Sequence, residues 1–309
     1  MHILVLAPPS YHRNWKNAFD RLASQHQLYS SVEEALPHAA AIEVILLWKQ
    51  DRGSLHHFPN VKVYYSMGAG VDHILSDPSR LLNIPICRVV DPYMANDMGN
   101  FLVMAVLNYH RRFYEILENQ RQKHWDHVNL PNIPVRIGIM GMGHLGQAIG
   151  QKLHQLQFPV FGFSQKPKTD LPYPCYSSAH LEEFLAQINV LLLLLPATPA
   201  TVGWLNRDFF QKCSPGTYLI NVARGPLVVT SDLIQAVDSG QLSGALLDVF
   251  PQEPLPAESP LWTHPKIQVT PHIASITAPE TAAEQIFKNL EAWVKGSPLA
   301  YQIDPYKGY

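Results

Sequence analysis

Three side chains in the last third of the chain have the types and spacing for acid–base work on an anionic substrate: Arg224, Glu253 and His272. An arginine presents a planar fork that holds a carboxylate through two hydrogen bonds and polarises an adjacent carbonyl oxygen. Histidine is the usual group for moving a proton near neutral pH, and a glutamate on its far nitrogen fixes the tautomer and favours the imidazolium. Each residue also has a plainer reading: an arginine capping carbonyls, a glutamate on a surface loop, or one of fifteen histidines satisfied in a polar pocket. A second group points to a dinucleotide. Residues 135–146 read as a buried strand, a glycine turn and the start of a helix, with Gly141, Gly143 and Gly146 in the G-x-G-x-x-G spacing. Those glycines serve a tight turn, close approach of backbone to a pyrophosphate, and close helix-on-strand packing. The anion then lies on the helix N-terminus, at His144 and Leu145. A plain glycine turn is the alternative.

These groups need elements to carry them. Residues 2–7 form an apolar strand ended by Pro8 and Pro9, and Trp15, Phe19 and Leu22 follow at helical intervals. Residues 43–48 and 61–65 read as further buried strands, the second running into Ser66, Met67, Gly68, Ala69, Gly70, Val71 and Asp72. Two glycines after a strand make either a structural turn or a concavity of backbone N–H groups suited to a carboxylate. From Asn96, the residues Met98, Phe101, Leu102, Ala105, Tyr109 and Phe113 make one apolar stripe, which predicts a long helix bridging two α/β units. A polar, proline-containing stretch, 120–134, leads from it to the glycine-rich strand.

Residues 160–164 are the second strand of the nucleotide unit, and 190–195, 217–222, 244–249 and 267–270 are later ones. In open parallel sheets, ligands bind outside the carboxyl ends of the strands. Arg224, Asp248, Glu253 and His272 all lie in or just after such ends. Thr277 to Glu280 has the pattern of a capping box for a final helix carrying Ala283, Ile286, Phe287, Leu290 and Val294.

Composition narrows the classes. A length of 309 residues with 47% hydrophobic content suits two packed domains, and a net charge of −2 gives no electrostatic case for nucleic acid or an anionic membrane. Purely apolar runs such as 190–195 are far too short to span a bilayer, and the N-terminus opens on a strand-like run, so a cytoplasmic protein is expected. Cys87, Cys175 and Cys213 suggest neither a disulfide framework nor a metal site. The end of the strand at 160–164 decides the expected cofactor. An NAD site places an acidic residue there for the ribose 2′-hydroxyl, whereas this chain has Ser164, Gln165, Lys166, Pro167 and Lys168. Hydroxyl, amide and ammonium groups suit a 2′-phosphate, which predicts NADP(H) in preference to NAD(H). Solvated loop lysines are the alternative reading.

Taken together, three segments resemble the signatures of the D-isomer-specific 2-hydroxyacid dehydrogenase family: Asn221 to Gly225, Leu247 to Phe250 with Glu253 to Pro256, and Thr270 to Ser275. Pro196 to Pro199, with Thr201, Gly203, Leu205 and Asn206, resembles that family's cofactor-side loop. The resemblance implies an α/β chain of two doubly wound parallel-sheet domains. A Rossmann dinucleotide-binding domain would span 98–274, and a discontinuous flavodoxin-like substrate domain 1–97 and 275–309. It implies that Arg224 binds the substrate carboxylate and carbonyl, that His272 is the acid/base, and that Glu253 orients His272. Asp248 would contact the nicotinamide amide, with Leu195 and Ala223 lining its pocket and Pro196 and Val222 also at the cofactor. Met67, Gly68, Ala69 and Gly70 resemble the family's carboxylate-binding loop.

The missing acid, the run 164–168, and Trp48 at a strand end resemble the NADPH-preferring glyoxylate/hydroxypyruvate reductase branch, although that branch commonly carries arginines at the strand end where this chain has Gln165, Lys166, Pro167 and Lys168. The resemblance therefore implies reduction of small 2-oxo acids to 2-hydroxy acids by a homodimer, with Trp48 at the substrate. Two rival readings stand beside it: an NAD-dependent dehydrogenase of a bulkier or phosphorylated acid, and a non-catalytic dinucleotide-sensing protein.

Overall fold

The computed structural model describes residues 1–22, 26–48, 50–126, 132–166 and 168–305, with backbone only at 9–13 and 92. Pro167 and part of the polar stretch 120–134 lie outside the described residues. The chain forms two compact units, one from residues 1–94 and 277–309 and the other from 95–276.

The first unit carries strands β1 (His2–Leu6), β2 (Gln27–Tyr29), β3 (Ile42–Leu47), β4 (Val63–Ser66) and β5 (Ile86–Arg88). Helix α1 (Pro9–Leu22) follows β1, and two short helices, α2 (Val32–Ala35) and α3 (Asp72–Leu75), follow β2 and β4. All strand pairs are parallel, in the order β2-β1-β3-β4-β5, the flavodoxin-like order. Alternate residues of the central strands enter separate cores. Ile3, Val44 and Tyr65 pack on one face with Trp15 and Phe287, while Leu4, Ile45 and Tyr64 pack on the other with Phe58 and Ile74. Burial on both faces explains why these strands read as continuous apolar runs.

Helix α4 (Pro92–His110) starts four residues before the expected Asn96, because Pro92 suits a helix's first turn. It also ends before Phe113. Arg112 adopts a left-handed conformation (φ 54°) and donates from Nε to Glu115 at 2.8 Å, which breaks the predicted single stripe, and Phe113 begins a new helix, α5 (Phe113–Arg121).

The second unit holds β6 (Ile137–Met140), β7 (Val160–Ser164), β8 (Cys175–Ser177), β9 (Val190–Leu193), β10 (Thr217–Asn221), β11 (Leu242–Leu247) and β12 (Ile267–Val269). Its helices are α6 (His144–Gln155), α7 (Leu181–Gln187), α8 (Arg207–Lys212) and α9 (Thr230–Asp238). The sheet is parallel throughout, in the order β12-β11-β10-β9-β6-β7-β8. The chain runs outward from β6 in one direction and from β9 in the other, so the switch point of a Rossmann sheet lies between them. Every residue of β6, β9 and β10 is buried.

The chain then returns to the first unit as α10 (Pro279–Val294), whose Ala283, Ile286, Phe287 and Leu290 enter the core beside α1. Its start corrects the expected capping box. The N-cap residue is Ala278, with Pro279 at the first helical position, so the box is out of register by one residue. Thr277 instead donates to Met94 Sδ at 3.6 Å.

Candidate active site

In the second unit, the turn between β6 and α6 is built for close backbone contact. Gly141 has φ 112°, a region L side chains rarely adopt, and a Cβ there would meet the Leu194 carbonyl oxygen at 2.5 Å. At Gly146 a Cβ would lie 2.0 Å from the Gly141 carbonyl oxygen, so helix and turn meet with no room for a methyl group. At Gly143 a Cβ would meet nothing within 4 Å, and no side chain caps α6. Gly143 and His144 are exposed, and the first N–H groups of this twelve-residue helix, at His144 and Leu145, have the positive end of the helix dipole behind them. A dinucleotide pyrophosphate fits this cradle by charge and by clearance.

The 194–196 segment lies against the same turn, since Leu194 N donates to Met140 O at 2.8 Å. Thr201 ties down the loop that follows, donating to Pro196 O at 2.6 Å and accepting from Thr198 N at 2.8 Å. Leu195 is partly buried on the core that includes Ala223, and Val222 enters the core on the opposite side of the sheet. At the end of β7 the Ser164 hydroxyl turns back and donates to the Lys166 carbonyl oxygen. Lys166 and Lys168 are exposed, and neither makes an ion pair among the described residues.

Three loops at the carboxyl ends of β10, β11 and β12 bring Arg224, Glu253 and His272 into neighbouring positions. Glu253 Oε2 lies 2.7 Å from His272 Nδ1, and Oε1 accepts from Phe250 N at 3.1 Å. The carboxylate is thus aimed by its own loop. Glu253 is 19% exposed and His272 32%, so the pair is shielded but reachable. With Nδ1 donating to the carboxylate, Nε2 is the nitrogen left for a substrate. The loop of Arg224 touches that of Glu253, because a Cβ at Gly225 would meet the Phe250 carbonyl carbon at 1.9 Å. Arg224 is partly buried, and its Nη1 donates to Ala223 O at 2.7 Å.

His272 has φ 56°, a left-handed conformation that costs a non-glycine residue about 1–3 kcal/mol. Asp248 holds it there. Its carboxylate, 1% exposed, accepts from Thr270 Oγ1 at 2.6 Å, Ile273 N at 2.9 Å and Ala274 N at 2.8 Å, gripping the loop on both sides of the histidine. Three donors offset the cost of burying a carboxylate. This anchoring role is additional to the nicotinamide contact expected of Asp248, and the contribution of Thr270 is not among the expectations from sequence. A threonine just before the Pro-His pair is the only sequence signal for it.

In the first unit, the turn after β4 is organised by Ser66, a residue also without an expected role. Its hydroxyl donates to Gly70 O at 2.6 Å and accepts from Gly68 N at 3.3 Å. Met67 is buried, and Val89 N donates to Gly68 O at 3.1 Å. Trp48 packs so closely that a Cβ at Gly68 would lie 2.4 Å from its ring. The N–H groups of Ala69 and Gly70 take part in no hydrogen bond within the described residues. They are open to an anion. Among the described residues there is no cluster of three or more metal-ligating side chains. The cysteines are free thiols, and burial pushes those of Cys87 and Cys213 up to about 12, which keeps them unreactive.

Comparison with known proteins agrees with this geometry. The profile of the D-isomer specific 2-hydroxyacid dehydrogenase, NAD binding domain, matches residues 103–274. A D-isomer specific 2-hydroxyacid dehydrogenase from Xanthobacter autotrophicus Py2, solved in complex with NADPH and MES, is 34% identical over 100% of this chain and 99% of its own, with a TM-score of 0.88. The NADPH-dependent glyoxylate/hydroxypyruvate reductase of Sinorhizobium meliloti, solved with NADP and sulfate, is 31% identical over 100% of this chain and 99% of its own, with a TM-score of 0.91. A probable 2-hydroxyacid dehydrogenase from Rhizobium etli CFN 42, solved with NADP, HEPES and L(+)-tartaric acid, gives the same four figures. With a family profile over more than half its length and relatives above 30% identity end to end, this chain belongs to the D-isomer specific 2-hydroxyacid dehydrogenase family and is an NAD(P)-dependent oxidoreductase.

Proposed function

We propose that this protein is an NADPH-dependent reductase of small 2-oxo acids, glyoxylate and hydroxypyruvate among them, with His272 as the proton donor. The observation that carries the reading is the 2.7 Å contact between Glu253 Oε2 and His272 Nδ1. A carboxylate on Nδ1 orients the ring and leaves the Nε2 proton for the developing alkoxide. Arg224 holds the substrate carboxylate and polarises its carbonyl; in the first unit the open amides of Ala69 and Gly70, in the Met67–Gly68–Ala69–Gly70 loop beside Trp48, form a nest suited to a carboxylate. Bound NADPH supplies the hydride that reduces C2.

The Gly141, Gly143 and Gly146 turn, with His144 and Leu145, carries the pyrophosphate. Leu195 and Ala223 line the nicotinamide site, Pro196 and Val222 flank them in the chain, and Asp248 has one carboxylate lone pair left for its amide. The absence of an acid at the end of β7, with Ser164, Lys166 and Lys168 in its place, favours NADP(H) over NAD(H). The relatives from Xanthobacter, Sinorhizobium and Rhizobium were all solved with NADPH or NADP. Exposed Met104, Leu107, Phe113 and Ile116 on α4 and α5 give a homodimer an apolar face to cover. The free thiols suit a reducing compartment, and we place the enzyme in the cytoplasm.

Steady-state kinetics on glyoxylate, hydroxypyruvate and pyruvate, with NADPH and NADH in parallel, test the reading. We expect turnover with kcat/KM at least about tenfold higher for NADPH, since one charge-assisted contact to the 2′-phosphate is worth roughly 1.5–3 kcal/mol. A protein that leaves all three acids untouched is not this reductase, and an NADH preference reverses the cofactor assignment.

A further inference from the structure

Asn221 closes β10 and is 1% exposed, yet neither general base nor substrate contact accounts for it. Every polar atom of its side chain is committed to the next three residues. Oδ1 accepts from Ala223 N at 3.0 Å, and Nδ2 donates to Arg224 O at 3.0 Å. Its backbone carbonyl accepts from Asp248 N at 2.9 Å, which ties the same residue to the neighbouring strand end. The short turn 221–224 is thereby closed on itself, with Arg224 extended at its end (φ −146°, ψ 139°) and Gly225 pressed against Phe250 beyond it.

We propose that Asn221 is the positioning residue for Arg224: its amide fixes the backbone from which the guanidinium reaches the substrate carboxylate. The proposal rests on the role given to Arg224 under the proposed function. The chemistry requires an amide. One planar group must present an acceptor to an N–H and a donor to a carbonyl, in fixed geometry, two bonds from the main chain. Aspartate has the same shape but offers a second acceptor to the Arg224 carbonyl oxygen, and serine has one oxygen for two partners. Arginine's charged fork sits at the end of a long side chain, so a backbone shift at 224 is carried outward to the group that grips the substrate. A displacement of about 1 Å at a positioning group costs on the order of 100-fold in rate.

The test is a double-variant cycle on the full-length protein: Asn221→Asp, Asn221→Ala, Arg224→Ala, and each Asn221 change combined with Arg224→Ala. Three quantities are measured: kcat/KM for glyoxylate, the Kd for NADPH from nucleotide fluorescence, and the phenylglyoxal modification rate of Arg224 followed by peptide mass mapping. We expect Asn221→Asp to lower kcat/KM by about 10- to 100-fold, mostly through KM, with the NADPH Kd held within about twofold. In the Arg224→Ala background the same change should cost less than about twofold, because the residue through which it acts is gone. The modification rate of Arg224 should change severalfold while other arginines react as before.

Equal, additive losses in both backgrounds would mean a general structural role and overturn the proposal, as would an unchanged Arg224 modification rate. The modification arm needs no substrate. If the wild-type protein fails to reduce any 2-oxo acid, the reductase reading falls while the link between Asn221 and Arg224 is still decided. The isosteric aspartate variant serves if the alanine variant does not fold.

Discussion

Gly68 and Gly141 each come just past the end of a buried parallel strand, β4 in one unit and β6 in the other, and each belongs to a turn with open backbone N–H groups. Their reasons for being glycine differ. Gly141 is set by its own backbone, since φ 112° is closed to most side chains and the Leu194 carbonyl lies 2.5 Å from any Cβ. Gly68 does not have a left-handed φ; it is glycine because the Trp48 ring occupies the Cβ position. The first turn is therefore rigid by covalent geometry and by packing of main chain on main chain. The second is shaped by one aromatic side chain and by the Ser66 hydroxyl, both replaceable. A pyrophosphate is the same in every dinucleotide, whereas 2-oxo acids differ in shape, which suits an invariant cradle at one place and an adjustable wall at the other.

The largest expected effect that would break this contrast comes at Gly146. In Gly146→Ala the new methyl meets the Gly141 carbonyl oxygen at 2.0 Å, and only main-chain movement relieves it. We expect a loss of about 3 kcal/mol, measured by urea unfolding, with NADPH binding lost in parallel. Gly141→Ala should follow at about 2–3 kcal/mol, from backbone strain as much as contact. A variant that kept full stability at either position would mean that the cradle is not rigid. Gly68→Ala is milder, because a ring can move where a backbone cannot: about 1–2 kcal/mol, with the glyoxylate KM raised roughly tenfold and NADPH binding unchanged. Adding Trp48→Leu should restore the stability but not the KM, and restoration of neither would show that the ring is not what excludes the methyl. Gly143→Ala is the smallest and the most informative. Its Cβ meets nothing within 4 Å, so stability should stay within about 0.5 kcal/mol while the NADPH Kd rises roughly tenfold. An unchanged Kd would place the pyrophosphate elsewhere.

Much of this architecture is legible in the order of residues. The turn from β6 into α6 is announced by a β-branched run, three spaced glycines and a helical repeat, and β7 runs from Val160 to Ser164 as its pattern indicates. The strands that escape notice, β2, β5 and β8, are three residues long, and all three end their sheets. Such segments take their conformation from a neighbour's hydrogen bonds and have too few residues to show a period. The break at Arg112 is invisible for a related reason: the apolar stripe continues across it, and only the left-handed turn with its Glu115 contact separates α4 from α5. At the last helix the box-like pattern of Thr277 and Glu280 misleads, since Pro279 takes the first helical position and moves the cap to Ala278.

By itself the sequence determined which chemical groups are available and in which unit each belongs, because side-chain type and local periodicity are properties of neighbouring residues. Arg224, Glu253 and His272 were recognisable as candidates on those grounds, and so was the missing acid after β7. Only the tertiary structure decided which groups meet. Parallel pairing of β10, β11 and β12 sets their carboxyl ends side by side, so residues nineteen apart in the chain come to 2.7 Å at Glu253 and His272. The same pairing turns Asn221 and Asp248 inward to hold the loops of Arg224 and His272. Those bonds depend on register between strands and on burial that raises the cost of an unpaired polar atom, and neither quantity is local to any stretch of sequence.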